Sequence, residues 1–353
     1  MKKFLMVILC LSVVIIGCDN ISQEYNIHAE IAPVKDDKEC IITIVSDDGI
    51  YESGVHFNEL AKKYGLRVTV AGVVDIVSPH LDEWIDIEQQ GYVEVISHSY
   101  SHLKMSEENN YSEEELRHQI TDSINYFKEH FQTDQIAFIP PENVMCNKGY
   151  DILKENDIYA IRQGVRGENS LLPLEGTWPS QWYDLYTSGI CDIDTTEYRN
   201  SRIDSAIDNK TWLIEMWHNV YQDNEEVGYQ GISVELADEH LSYIAQMADQ
   251  DKVWVASLVD ATKYLYEKQY TDVQAIQRGN MIEVQVALDT SKIPADIFDF
   301  PVTVKIPLPQ DWLGEDIESE DQSIDVRIEE KNNVKYILFN VVPNGKSISI
   351  IKK

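Results

Sequence analysis

Between residues 40 and 269, short apolar runs alternate with segments whose apolar residues recur every three or four positions. The runs at 40–46 (CIITIVS), 66–74, 92–96, 136–139, 158–162, 212–217 and 253–257 are mostly apolar, several rich in β-branched residues, and predict strands. Segments 56–64, 81–90, 150–156, 233–249 and the stretch from 258 to about 269 predict helices. Another helix opens at Ser112, where Ser112 and Glu115 have capping-box spacing and Leu116, Ile120, Ile124 and Phe127 form one stripe. Strand alternating with helix predicts an α/β fold with a parallel sheet or barrel. After Tyr270 the helical period disappears. Runs at 281–288, 302–306, 334–341 and 347–351, separated by Pro, Asp, Asn and Gly, predict a small C-terminal all-β, sandwich-like domain.

The start of the chain follows neither pattern. Met1, Lys2 and Lys3 precede an apolar run at 4–17, which is too short to span a bilayer and fits an export signal. The run closes with Ile15-Ile16-Gly17-Cys18, which resembles a bacterial lipobox. That resemblance implies cleavage before Cys18, lipid on its sulfur, and an exported protein held to a membrane of the cell envelope. Residues 18–37 are polar with little periodicity and read as a tether. The expected division is therefore signal 1–17, tether 18–37, α/β domain 38–270 and β domain 271–353.

Bulk composition narrows the function. A formal charge of −32 over 353 residues repels phosphate backbones and disfavours nucleic acid as a partner. Of five cysteines, Cys10 lies in the signal and Cys18 in the lipobox; Cys40, Cys146 and Cys191 have no metal-like spacing and read as buried thiols rather than a disulfide pair.

Parallel α/β folds gather their sites at the C-terminal ends of strands. Three polar clusters end predicted strands here. Asp47-Asp48-Gly49 follows 40–46; two adjacent carboxylates repel unless a cation takes up their charge. His98-Ser99-Tyr100-Ser101-His102 follows 92–96, and a helical turn there would put both imidazoles on one side. His218 ends 212–217; beside a tryptophan, such a histidine is as readily a packed residue as a catalyst. Two histidines and a carboxylate form a familiar hydrolytic zinc set, with the second aspartate available as a base.

These residues resemble the polysaccharide deacetylases of the NodB-homology group, the family 4 carbohydrate esterases. The matching blocks are Ser46-Asp47-Asp48-Gly49, Ser97-His98-Ser99-Tyr100-Ser101-His102, Phe138-Ile139-Pro140-Pro141 and Ile214-Glu215-Met216-Trp217-His218. The resemblance covers about residues 40–269 and implies a distorted (β/α) barrel of seven strands. It implies Asp47 as base, Asp48, His98 and His102 as ligands of a divalent metal, most simply Zn2+, and His218 as general acid. The implied reaction removes acetyl from an acetylated carbohydrate, from nitrogen or from oxygen. A backbone amide near Tyr100 would help stabilise the oxyanion, and Pro140 and Pro141 fall in a substrate-binding loop. Two departures stand out. Ile139 occupies the place of an arginine that pairs with the base, which leaves Asp47 differently tuned unless Arg162, one strand later, takes over. The family's aspartate–tryptophan motif has no clear counterpart; Trp178 and Trp182 are candidates for a substrate wall or for core packing. Trp254 reads as structural. The competing function is a lipid-anchored carbohydrate-binding protein that has lost turnover. The β domain, with no aromatic-rich face, is expected to brace the barrel.

Overall fold

The computed structural model describes residues 24–171, 181–223, 225–314 and 316–353. Cys18, the export signal and Trp178 lie outside the described residues.

The chain begins with two short strands, β1 (Glu24–Ile27) and β2 (Glu30–Ile31). It continues through β3 (Cys40–Ser46), α1 (Tyr51–Tyr64), β4 (Val68–Gly72), α2 (Leu81–Gln89) and β5 (Val93–Ser97). A long helix, α3, follows in three parts: Glu113–Arg117, a π turn at His118–Asp122, and Ser123–His130. Then come β6 (Ala137–Phe138), α4 (Asn147–Glu155), β7 (Ala160–Arg166), β8 (Leu185–Gly189), α5 (Thr196–Asn209), β9 (Thr211–Trp217), α6 (Val234–Asp249), β10 (Val253–Val255) and α7 (Leu258–Tyr270). The strand order is β5-β4-β3-β9-β8-β7-β6, with β10 also paired to β3, and every one of these pairings is parallel.

This is a mixed α/β fold with a nearly closed parallel barrel. All seven residues of β3 are buried, because helices cover the face that the barrel interior does not. Between β5 and β6 no ladder forms, and side chains lace the gap. The buried Gln135 amide accepts from Ser97 N at 3.1 Å and donates to Val95 O at 3.0 Å, doing the work of a strand neighbour.

The capping box at Ser112 and Glu115 is present. Two barrel elements, β8 and α5, were not visible in the periodicity, and β7 runs on to Arg166.

The C-terminal strands are β11 (Thr271–Arg278), β12 (Met281–Leu288), β13 (Val302–Pro307), β14 (Ile317–Ser319), β15 (Arg327–Lys331), β16 (Val334–Val341) and β17 (Asn344–Lys352). They form two sheets, ordered β1-β11-β12-β17-β14 and β15-β16-β13-β2. Ile282, Val284 and Val286 alternate inward on β12 and join one core with Val304, Ile306 and Phe339 of the other sheet. That core continues into the barrel through Tyr264, Tyr266, Phe298 and Trp254, so the β domain is packed on α7 over a broad apolar contact.

The tether expectation is corrected over residues 24–37. β1 and β2 are edge strands of the two C-terminal sheets, and Asp37 is buried against Lys305 at 2.8 Å. Only two ladder positions hold β2, too few for sequence periodicity to register.

One buried group in this contact carries a pH signature. Glu267 of α7 is fully buried; one carboxyl oxygen accepts from Phe300 N at 2.7 Å and the other has no partner among the described residues. Burial pushes this carboxyl up to about 8. Because the folded value exceeds the unfolded one, the ionised form opposes folding: the penalty is absent below about pH 4.5 and grows as the pH rises toward 8. Glu267→Gln is expected to stabilise the protein by on the order of 2 kcal/mol at pH 8 and by almost nothing at pH 4.5, read by thermal denaturation at both. An equal Tm shift at the two pH values would contradict this.

Candidate active site

Two loops at the C-terminal mouth of the barrel are bent into shapes that side chains rarely adopt. After β3, Asp48 and Gly49 both lie in the left-handed region, at φ 78° and 76°. A Cβ at Gly49 would come within 2.9 Å of Val77 and 3.0 Å of the Gly72 backbone, so only glycine fits there. After β5, Ser99 (φ 77°) and His102 (φ 57°) are also left-handed. The two histidines therefore sit on an irregular loop, not on the helical turn expected from their spacing. Strain of this kind persists only where the surroundings impose it.

Here the imposing element is the π turn of α3. Gln119 accepts from Tyr100 N through its carbonyl (3.1 Å) and from Ser101 N through its side chain (3.0 Å), and donates to Ser101 Oγ (2.9 Å). The extra residue in the π turn brings both the backbone and the side chain of Gln119 onto the loop.

The loops bring Asp48, His98 and His102 together. Asp48 Oδ1 lies 3.6 Å from His98 Nε2 and 3.3 Å from His102 Nε2. One ligating atom from each of the three residues falls within 4.8 Å of the others. Ligands at ~2.0–2.1 Å around a tetrahedral ion sit about 3.3 Å apart, so the set fits a divalent cation. His98 Nδ1 is 2.7 Å from Ile139 O, and a carbonyl only accepts, so Nδ1 carries the hydrogen and Nε2 presents its lone pair. Burial works to raise the Asp48 carboxyl, but the imidazoles of His102 and His98 beside it hold it well below the usual carboxylate range.

Beside this set, Asp47 Oδ2 accepts from Arg162 Nη2 at 2.7 Å, in an ion pair with both side chains buried. Arg162 thus stands where the third sequence block, with Ile139, had left the base without a cation. The other oxygen of Asp47 has no partner among the described residues. His218 comes from the end of β9. Its Nδ1 is buried and likewise unpartnered, and burial lowers the imidazole from its ordinary value while Asp47 and Asp48 pull the other way.

Asp47, Asp48, His98, His102 and His218 all line one cavity of about 530 Å³. Its remaining wall is Glu142, Asn143, Met216, Tyr229 and Gln230, none of which sequence reasoning singled out. The overlooked signal was Gly228-Tyr229-Gln230-Gly231, an aromatic framed by glycines shortly after a site histidine.

Four residues expected at the substrate do not line the cavity. Trp182 is 4% exposed and stacked on Tyr266 at 4.2 Å, so it is core. The Tyr100 ring packs tilted against His118 with centroids 4.2 Å apart, and its backbone N–H is already donated to Gln119 O, so that amide is not free for an oxyanion. Pro140 and Pro141 are buried; they shape the loop that carries Glu142 and Asn143 and do not line the cavity themselves.

Residues 34–161 match the family model for polysaccharide deacetylases. This segment is similar to polysaccharide deacetylases. Asp47, Asp48, His98 and His102 lie inside the matched deacetylase segment; Arg162, His218 and Tyr229 lie beyond it. Solved structures similar to the chain include three relatives. One is the family 4 esterase domain of a multidomain xylanase from the hindgut metagenome of Trinervitermes trinervoides (19% identity, 66% of this chain and 92% of that one, TM-score 0.43). Another is a Mycobacterium smegmatis protein assigned as a polysaccharide deacetylase (15%, 68% and 95%, TM-score 0.49). A third is a family 4 acetyl xylan esterase of Clostridium thermocellum with cobalt (16%, 62% and 89%, TM-score 0.42). No curated protein matches the chain at a significant level.

Proposed function

We propose that this protein is a metal-dependent hydrolase that removes acetyl groups from a carbohydrate. In this reading Asp48, His98 and His102 hold the metal, most simply zinc, with Asp47 as general base and His218 as general acid. One observation carries it: the three ligating side chains converge in the same cavity as an arginine-locked carboxylate and a separate imidazole.

A divalent cation at this set polarises the acetyl carbonyl and acidifies water. The chain's own groups do the rest. Arg162 pairs with Asp47 inside the barrel, and its single bond to Oδ2 leaves Oδ1 as the acceptor for a proton from the attacking water. The His98 ring is fixed by Ile139 O, and the backbone of His102 by its main-chain N–H to Ser99 Oγ at 3.0 Å, so the loop that carries both ligands is shaped before the metal binds. His218 supplies the proton that the departing sugar nitrogen or oxygen needs.

That last step separates substrates. An amine leaves only when protonated, whereas an activated phenolate does not need the proton. His218→Ala is expected to lower kcat on an N-acetyl sugar by about 10³-fold, and on 4-nitrophenyl acetate by much less. Equal losses on both would remove His218 from the acid role.

The reading as a whole is tested by acetate release from a panel of acetylated glycans, with and without chelator. Zinc-loaded protein that binds a glycan yet frees no acetate would be a carbohydrate-binding protein instead. We also propose that the protein is exported and anchored through Cys18, on the strength of the apolar run ending at Ile15-Ile16-Gly17-Cys18. Wild type is then expected in the membrane fraction and Cys18→Ala outside it; identical fractionation would rule out the anchor.

A further inference from the structure

The wall beside His218 carries an aromatic ring that the fold does not use. Tyr229 is 69% exposed although it lines the cavity. Its ring meets that of His218 edge to face, with centroids 4.9 Å apart and planes at 85°. A large side chain left this open contributes little to packing.

The loop that presents it is fixed all the same. Asn219 holds both ends: its Nδ2 donates to Val227 O at 3.3 Å, and its carbonyl accepts from Ile232 N at 2.8 Å. Asp192, from the loop after β8, accepts from Ser233 N at 2.8 Å and donates its own N–H to Gly231 O at 3.2 Å. A Cβ on Gly231 would fall 2.0 Å from Val227 O, so the chain closes on itself there. Gln230 is held at φ 45°, a conformation unfavourable for its type. Strain and anchoring spent on displaying an exposed ring at a reaction cavity point to a ligand for that ring.

We propose that Tyr229 is a stacking platform for the pyranose that bears the acetyl group. The ring takes the apolar C–H face of the sugar while the acetyl group reaches the metal ligands and the leaving atom reaches His218. This assignment rests on the deacetylase reading and adds the substrate class to it: a sugar ring presented flat, in preference to an acetylated peptide or a small acetyl ester. Gln230, next in the chain and lining the same cavity, offers an amide to the sugar hydroxyls.

The test compares wild type, Tyr229→Ala and Tyr229→Phe on N-acetylglucosamine oligomers, on acetylated xylo-oligosaccharides and on 4-nitrophenyl acetate. Tyr229→Ala is expected to lower kcat/KM on the preferred oligosaccharide about tenfold or more, chiefly through KM, and Tyr229→Phe to stay near wild type. Turnover of 4-nitrophenyl acetate, which has no sugar ring to stack, should fall far less in Tyr229→Ala than turnover of the oligosaccharide. A loss of equal size on the aryl ester would make Tyr229 a positioning residue for His218 and overturn the platform. Wild-type KM for the oligosaccharide in Tyr229→Ala would overturn it too. Calorimetry separates the two readings. Oligosaccharide that binds wild type but not Tyr229→Ala, with no acetate freed, keeps the platform and sinks the deacetylase. Glycan binding unaffected by Tyr229→Ala sinks the platform alone.

Discussion

Arg162→Met is expected to lower kcat/KM at least a hundredfold while leaving the metal in place. Arg162 is fully buried and touches no metal ligand among its hydrogen bonds; its bond is to Asp47. Removing it leaves a buried carboxylate without its cation, which costs about 3–5 kcal/mol of stability as well as the base. Two further variants distinguish a lost base from general damage. In Asp47→Asn/Arg162→Met the orphaned charge is gone, so the double variant should melt above Arg162→Met while remaining inactive. In Ile139→Arg/Arg162→Ile the cation returns from the strand where the family usually carries it, and part of the activity should return with it. Zinc content by atomic emission and acetate release are the two readouts. Full activity in Arg162→Met would mean that Asp47 is not the base.

Asp48→Asn is expected to abolish metal binding and to reduce activity by three orders of magnitude or more, because the only carboxylate of the three-residue set is lost. Chelation of the wild type should do the same, reversibly. The pH dependence follows from the sign of each shift. The Asp48 carboxyl is held below its usual range and stays ionised at any working pH. His102 is raised in the metal-free protein, chiefly by its hydrogen bond to Asp48, so protons compete for it nearer neutrality. Zinc affinity measured by competition with a chromophoric chelator should therefore weaken from pH 8 to pH 6. An Asp48→Asn protein that keeps stoichiometric zinc would undo the proposed ligand set.

The parts of this protein that were readable in advance are those in which local chemistry and position coincide. Asp48 and His98 directly end strands whose apolar runs are unmistakable, and the capping box at Ser112 is written in four consecutive residues. Arg162 was harder, because its partner lies 115 positions away and β7 is not a sheet neighbour of β3, so only the curling of the sheet into a barrel brings the two side chains together. Spacing also misled: His98 and His102 are four apart, yet Ser99 and His102 are left-handed, and the π turn that sets them so leaves no mark in hydrophobic periodicity. The strand β8 reads LYTSG, too mixed to declare itself, although β9 and β7 hold it in register. Tyr229 was missed for a different reason, since its signal is a tyrosine framed by Gly228 and Gly231 in a loop and not a hydrophobic period.

β1 pairs Glu24 with Arg278, and β2 pairs Ile31 with Val304. During synthesis, then, these two early strands are among the last elements to find their neighbours. At ~5–20 residues per second, the interval before Arg278 is made is on the order of ten to fifty seconds. Throughout that delay a naked strand edge must neither aggregate nor recruit a stranger. The segment EYNIHAE, with a charge at each end and one isoleucine in the middle, suits that solitude.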